Sequence, residues 1–153
     1  MNRNQPKYYY RHLPHYFIPQ ACYFITYRLA NSLPKKKLQL LKSEYLSKLD
    51  QINNQGIIKS DKNKQKVNVW KKYFHQTDKL LSQYSENPQY LQNPKIAEIV
   101  AESLKFYDSK DYELICYCLM PNHVHCILKL NENSRPLDKI MHSIKRYSSK
   151  EAN

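Results

Sequence analysis

An α+β fold, with helices laid on one antiparallel sheet, follows from three features of the sequence. Three short runs are dense in aromatic and β-branched residues, and two of them are separated only by a proline-centred break. Apolar residues recur at three- and four-residue steps between and after those runs, as on one face of a helix. The resulting order, one strand, three helices, two strands and a last helix, suits helices packed on an antiparallel sheet. The 153 residues are 41% hydrophobic, with 14 Tyr, 4 Phe and 1 Trp, enough to form a core. A single glycine, Gly56, excludes the glycine-rich loops that cradle phosphates in nucleotide-binding folds.

Taken in order, residues 1–21 form a basic arm punctuated by Pro6, Pro14 and Pro19, followed by a strand from Cys22 to Leu29. Asn31-Ser32-Leu33-Pro34 breaks that strand, and Leu38, Leu41, Tyr45, Leu49 and Ile52 predict a helix from about 35 to 52. The polar stretch 53–66 reads as a loop or insertion within a single domain spanning 22–153. Trp70, Tyr73, Phe74, Thr77, Leu81 and Tyr84 mark a second helical stripe, expected to be core. Asn93-Pro94 opens a third helix, with Asn as its cap and Pro in the first turn. Residues 111–120 and 122–130 are strands of one hairpin, and Ser134-Arg135-Pro136 opens a final helix with Ile140, Ile144 and Tyr147 on its apolar side.

The net charge of +12 is unevenly spread. Met1 to Ser43 holds eight basic residues and no acidic ones, residues 59–79 carry +5, and residues 85–113 carry −3. Such segregation fits a face that binds a polyanion. Cys22, Cys116, Cys118 and Cys126 form no Cys-x-x-Cys pair and lie in strand-like runs, so buried reduced thiols and a cytoplasmic location are expected. No apolar run approaches the length of a membrane span.

His123-Val124-His125 is the motif that carries chemistry. On a strand, residues two apart share a face with Cα atoms about 6.5 Å apart, so both imidazoles project together while Val124, Cys126 and Leu128 face the core. Two such imidazoles can hold one divalent ion and leave coordination positions open to substrate oxygens.

The surrounding string Leu119-Met120-Pro121-Asn122-His123-Val124-His125-Cys126-Ile127-Leu128 resembles the His-hydrophobic-His signature of the single-tyrosine HUH transposases. The runs Arg11-His12-Leu13-Pro14-His15-Tyr16, Tyr23-Phe24-Ile25-Thr26-Tyr27-Arg28-Leu29-Ala30 and Ile140-Met141-His142-Ser143-Ile144-Lys145-Arg146-Tyr147 are similar to the subgroup of REP-associated tyrosine transposases. The resemblance implies a ferredoxin-like antiparallel sheet with helices on it, the IS200-like transposase fold. It also implies cleavage and rejoining of single-stranded DNA at hairpin-forming palindromes. A tyrosine attacks the scissile phosphate there, beside a Mg²⁺ or Mn²⁺ ion. On this likeness His123 and His125 are metal ligands, and Arg11, His12, Arg28, Lys145 and Arg146 contact DNA.

In these relatives the nucleophile lies on a further helix in a pattern like Gly-x-x-Trp-Gln-x-Glu-Tyr-Phe-Asp, near the third metal ligand. This sequence reaches Asn153 without that pattern, so the resemblance implies a chain cut short before its catalytic tyrosine, with impaired activity. Tyr147 is a stand-in nucleophile, although its place on the apolar stripe predicts a core residue. The alternative is a non-catalytic module, derived from a transposase, that binds hairpin or single-stranded DNA. A hydrolytic site joining the two His to Asp108, Asp111 or Glu113 is weaker, because those acids belong to the far end of the hairpin.

Overall fold

The computed structural model of the chain describes residues 7–10, 14–17, 20–83 and 88–153, the first two segments by their backbone alone. They divide into two compact units, residues 29–89 and residues 1–28 with 90–153.

The second of these units holds the sheet. Strand β1 (Lys7–Tyr10) pairs antiparallel with β2 (Pro14–Phe17) in a ribbon, so part of the predicted arm has regular structure. A separate three-stranded antiparallel sheet has the order β3 (Cys22–Arg28), β5 (His123–Leu130), β4 (Tyr112–Leu119). The last strand therefore lies between the other two, as in the first three strands of a ferredoxin-like sheet. Helix α3 (Pro94–Lys105) and helix α4 (Leu137–Glu151) belong to this unit as well.

Its core follows from strand alternation. Val124, Cys126, Leu128 and Leu130 of β5 are at most 1% exposed and share a face with Tyr112 of β4. Buried Leu104 of α3 and Ile140 and Ile144 of α4 supply the helical side of the core. The Tyr112 hydroxyl donates to the Leu104 carbonyl, and the Ser148 hydroxyl lies 2.9 Å from that of Ser103, so buried polar atoms join strand to helix and helix to helix. The Asn93 side chain accepts from the Lys95 amide at 3.0 Å with Pro94 in the first turn, as the sequence predicts.

The unit of residues 29–89 is helical. Helix α1 (Lys35–Asn53) matches the predicted span, and helix α2 (Lys59–Gln83) begins well before Trp70, where its apolar stripe starts. Tyr45 and Tyr73 meet between the two helices with ring centroids 4.8 Å apart.

Four expectations change. The polar stretch 53–66 is helical from Lys59, because Lys and Gln are good helix formers even where they leave no apolar period to read. Trp70 is 39% exposed and Tyr147 50%, so neither is core; the buried stripe of α4 passes through Ile140, Met141, Ile144 and Ser148 and leaves Tyr147 at its margin. Three of the four thiols, Cys22, Cys116 and Cys118, are exposed, and only Cys126 is buried. For Cys116 and Cys118 the cause is a register shift between Leu114 and Cys116, which turns them to the face opposite Leu114.

Candidate metal centre

Strand pairing places the site residues. His125 lies opposite Thr26 and His123 opposite Arg28, so all four side chains belong to the sheet face away from Val124, Cys126 and Leu128. His123 and His125 share that face, as the two-residue period of a strand requires, and the turn that precedes them is fixed by the Met120 amide, which donates to the His123 carbonyl at 2.9 Å.

The two rings stand perpendicular, at 88° with centroids 4.7 Å apart, and their Nε2 atoms approach to 3.0 Å. Each ring is held from behind. His123 Nδ1 lies 2.6 Å from Asn122 Oδ1, an acceptor that requires the proton on Nδ1 and so leaves Nε2 with its lone pair. His125 Nδ1 lies 2.7 Å from the Thr26 hydroxyl, and Phe24 stacks on its ring at 5.6 Å and 11°. A second partner on the far nitrogen is the usual means of orienting a metal-ligating imidazole.

Two ring nitrogens facing each other at this distance need a cation or a proton between them. Nitrogens bound at right angles, each about 2.1 Å from an octahedral ion, lie about 3 Å apart. The observed spacing meets that requirement, and His123 is 1% exposed, so its nitrogen is fixed in a desolvated setting. The residues present therefore fit a divalent ion.

The remaining predicted residues fall into three groups. Arg28 stands at the register position beside His123. Lys145 places its ammonium 5.4 Å from the Tyr27 ring centroid, and burial lowers its pKa; Arg146 is exposed on α4. Arg11 and His12 lie outside the described residues. Tyr147 is exposed, whereas burial raises the pKa values of Tyr27 and Tyr112 above the ordinary phenol range and keeps both neutral.

The acids of the hydrolytic alternative do not reach the imidazoles along the sheet. Tyr112 pairs with Leu130 and Leu119 with Val124, which puts residues 108–113 at the opposite end of the hairpin. Asp111 is committed to Arg135, whose Nη2 and Nε donate to its carboxylate at 2.7 and 3.0 Å, and Asp108 accepts from the Leu114 amide at 2.8 Å. Burial opposes the charged form of Asp111, but the Arg135 hydrogen bonds and charge outweigh it and hold the pKa below its ordinary value.

Sequence reasoning assigned no role to Thr26, Asn122 or Phe24. Asn122 adjoins the motif, but Thr26 and Phe24 lie almost 100 residues away, and only the β3–β5 register brings them to His125.

Comparison with known families gives one match: residues 80–153 fit the family described as "Transposase IS200 like". No curated protein and no solved structure matches the chain.

Proposed function

We propose that this protein acts on single-stranded or hairpin DNA, cutting and rejoining a strand with His123 and His125 as ligands of a Mg²⁺ or Mn²⁺ ion. The observation that carries the reading is the convergence of two Nε2 atoms at 3.0 Å, each ring held through Nδ1, within the segment that fits the IS200-like transposase family.

A bound divalent ion supplies Lewis acidity, neutralising charge on the phosphoryl oxygens. The protein's own residues orient and bind. Asn122 and Thr26 fix the imidazoles, and Arg28, the register partner of His123, would contact a phosphate. Lys145, Arg146, Arg11 and His12 extend the backbone contacts. In the cleavage step a phenol oxygen bonds to phosphorus as the P–O3′ bond breaks, leaving a 3′-hydroxyl and a 5′-phosphotyrosine; the phenol proton passes to solvent or a base, and the leaving O3′ takes one up from solvent. Tyr147 is the proposed nucleophile: the residue is half exposed, as Tyr112 is not, and it follows Lys145 and Arg146 in the chain.

Incubation with an end-labelled hairpin oligonucleotide and Mn²⁺ tests this. A labelled band that survives SDS and disappears in Tyr147→Phe is the expected result. A band retained in Tyr147→Phe would move the nucleophile elsewhere, and binding without any adduct would favour a non-catalytic DNA-binding module. Mn²⁺ affinity unchanged in His123→Ala would overturn the metal site itself.

A further inference from the structure

The unit of residues 29–89 carries 12 Lys and 5 acidic residues, a net +7 and more than half of the chain's +12. None of the predicted DNA contacts lies in it. Its charge is only slightly offset locally, by an exposed pair of Lys64 with Asp61 at 3.9 Å. Between Asp61 and Asp78, α2 carries Lys62, Lys64, Lys66, Lys71 and Lys72 and no acid, and α1 begins with Lys35, Lys36 and Lys37 at the end where a helix favours negative charge. Lys62 and Lys66, four apart, repel each other on the same face. A helix selected only for its own stability would alternate signs there; this one is suited to a partner that brings the negative charge.

Apolar exposure on the same helix narrows the partner. Val67 is 49% and Trp70 39% exposed, and Trp70 stacks on Phe74 with centroids 5.6 Å apart and planes at 23°. Helical spacing puts Lys66 one turn before Trp70, and Lys71 one turn before Phe74 and one turn after Val67. Lys64 and Lys71 are exposed. An aromatic platform edged by Lys matches the alternation of bases and phosphates along an unpaired strand, where successive bases stack on rings and the backbone runs past cations. Duplex DNA satisfies the cations but offers the platform no free base.

We infer that α2 is a second nucleic-acid contact, holding an unpaired strand with a base against Trp70 and phosphates on Lys64, Lys66 and Lys71. This goes beyond the strand-cleavage reading and does not need the His pair. A second copy of the chain, docking through Val67 and Trp70, is the competing occupant, and the local excess of like charge weighs against it.

Because Trp70 is the chain's single tryptophan, its emission reports on this surface directly. The full chain is titrated with oligothymidylate in EDTA, which removes the metal site from the measurement. Expected are quenching of Trp70 by the single strand and weak or no quenching by duplex of equal length. Affinity should fall with salt along a slope that loses about 2 when Lys64, Lys66 and Lys71 are all changed to Gln, since each single-strand phosphate contact contributes about 0.7. Anisotropy of a labelled oligonucleotide should show roughly five- to a hundredfold weaker binding in Trp70→Ala, with much of it restored in Trp70→Phe. Binding that leaves Trp70 emission and the triple variant's salt slope unchanged would overturn the inference. So would a Trp70 change that tracks protein concentration without DNA, which would assign the surface to self-association.

Discussion

The two faces of the three-stranded sheet are built from the same strands and do opposite work. On one, Val124, Cys126, Leu128 and Tyr112 are sealed, with Leu104, Ile140 and Ile144 supplying the helical side of the core. On the other, residues one step along the same strands form a polar centre of His123, His125 and Thr26, while Phe24 and three thiols stay exposed. A strand's two-residue period makes this division possible, and a one-residue slip would exchange the two sets. Stability is thus concentrated on one face and the proposed metal centre on the other.

Thiol chemistry offers the widest contrast between them. Burial pushes the Cys126 thiol up to about 12, whereas Cys22, Cys116 and Cys118 are exposed. Alkylation near neutral pH should modify the three exposed thiols first and leave Cys126 far slower, since it is buried and only thiolate reacts. Mass spectrometry of the labelled native and unfolded chain would show this, and rapid labelling of Cys126 would mean that the sealed face opens.

The next largest effect separates stability from metal binding. Leu128→Ala should cost about 2–5 kcal/mol in denaturant unfolding, as buried leucines do. His125→Ala, on the opposite face, should remove Mn²⁺ binding with a much smaller change in unfolding. If both substitutions destabilise equally, the division of labour is wrong.

Thr26→Val sharpens the comparison on the polar face alone. It keeps the shape of the side chain but removes the group that holds His125 Nδ1, and Mn²⁺ affinity should drop about 10- to 100-fold by calorimetry.

The smallest expected effect concerns the clamp at the hairpin's far end. The Asp111 pKa is lower in the folded chain than in the unfolded one, so its contribution is complete above the unfolded carboxylate value of about 3.9 and is lost as pH falls through the lower folded value. Asp111→Asn should therefore flatten the acid limb of stability below about pH 4, by roughly 1 kcal/mol given that Arg135 is partly solvated. Identical acid limbs for variant and wild type would assign the clamp no role in pH-dependent stability.

Much of the architecture could be read from local patterns. The capping Asn93-Pro94, the stripe from Leu38 to Ile52 and the brief break at Pro121-Asn122 each state their structure within a few residues. Where local signals failed, the reason was physical. Residues 59–66 hid their helix because a polar sequence has no apolar period. Cys116 and Cys118 left the expected face because a register shift is a property of two paired strands, which no single strand announces. Tyr147 missed the core by a fraction of a helical turn, at the edge of a stripe whose width depends on what packs against it.

By itself, the sequence determined the periods, the caps and the parity that sets His123 and His125 on one face, since these depend on chain geometry over a few residues. Tertiary structure alone decided which residues of β3 meet that pair. Register between distant strands joins Thr26 to His125, and turns two neighbouring histidines into nitrogens held 3.0 Å apart.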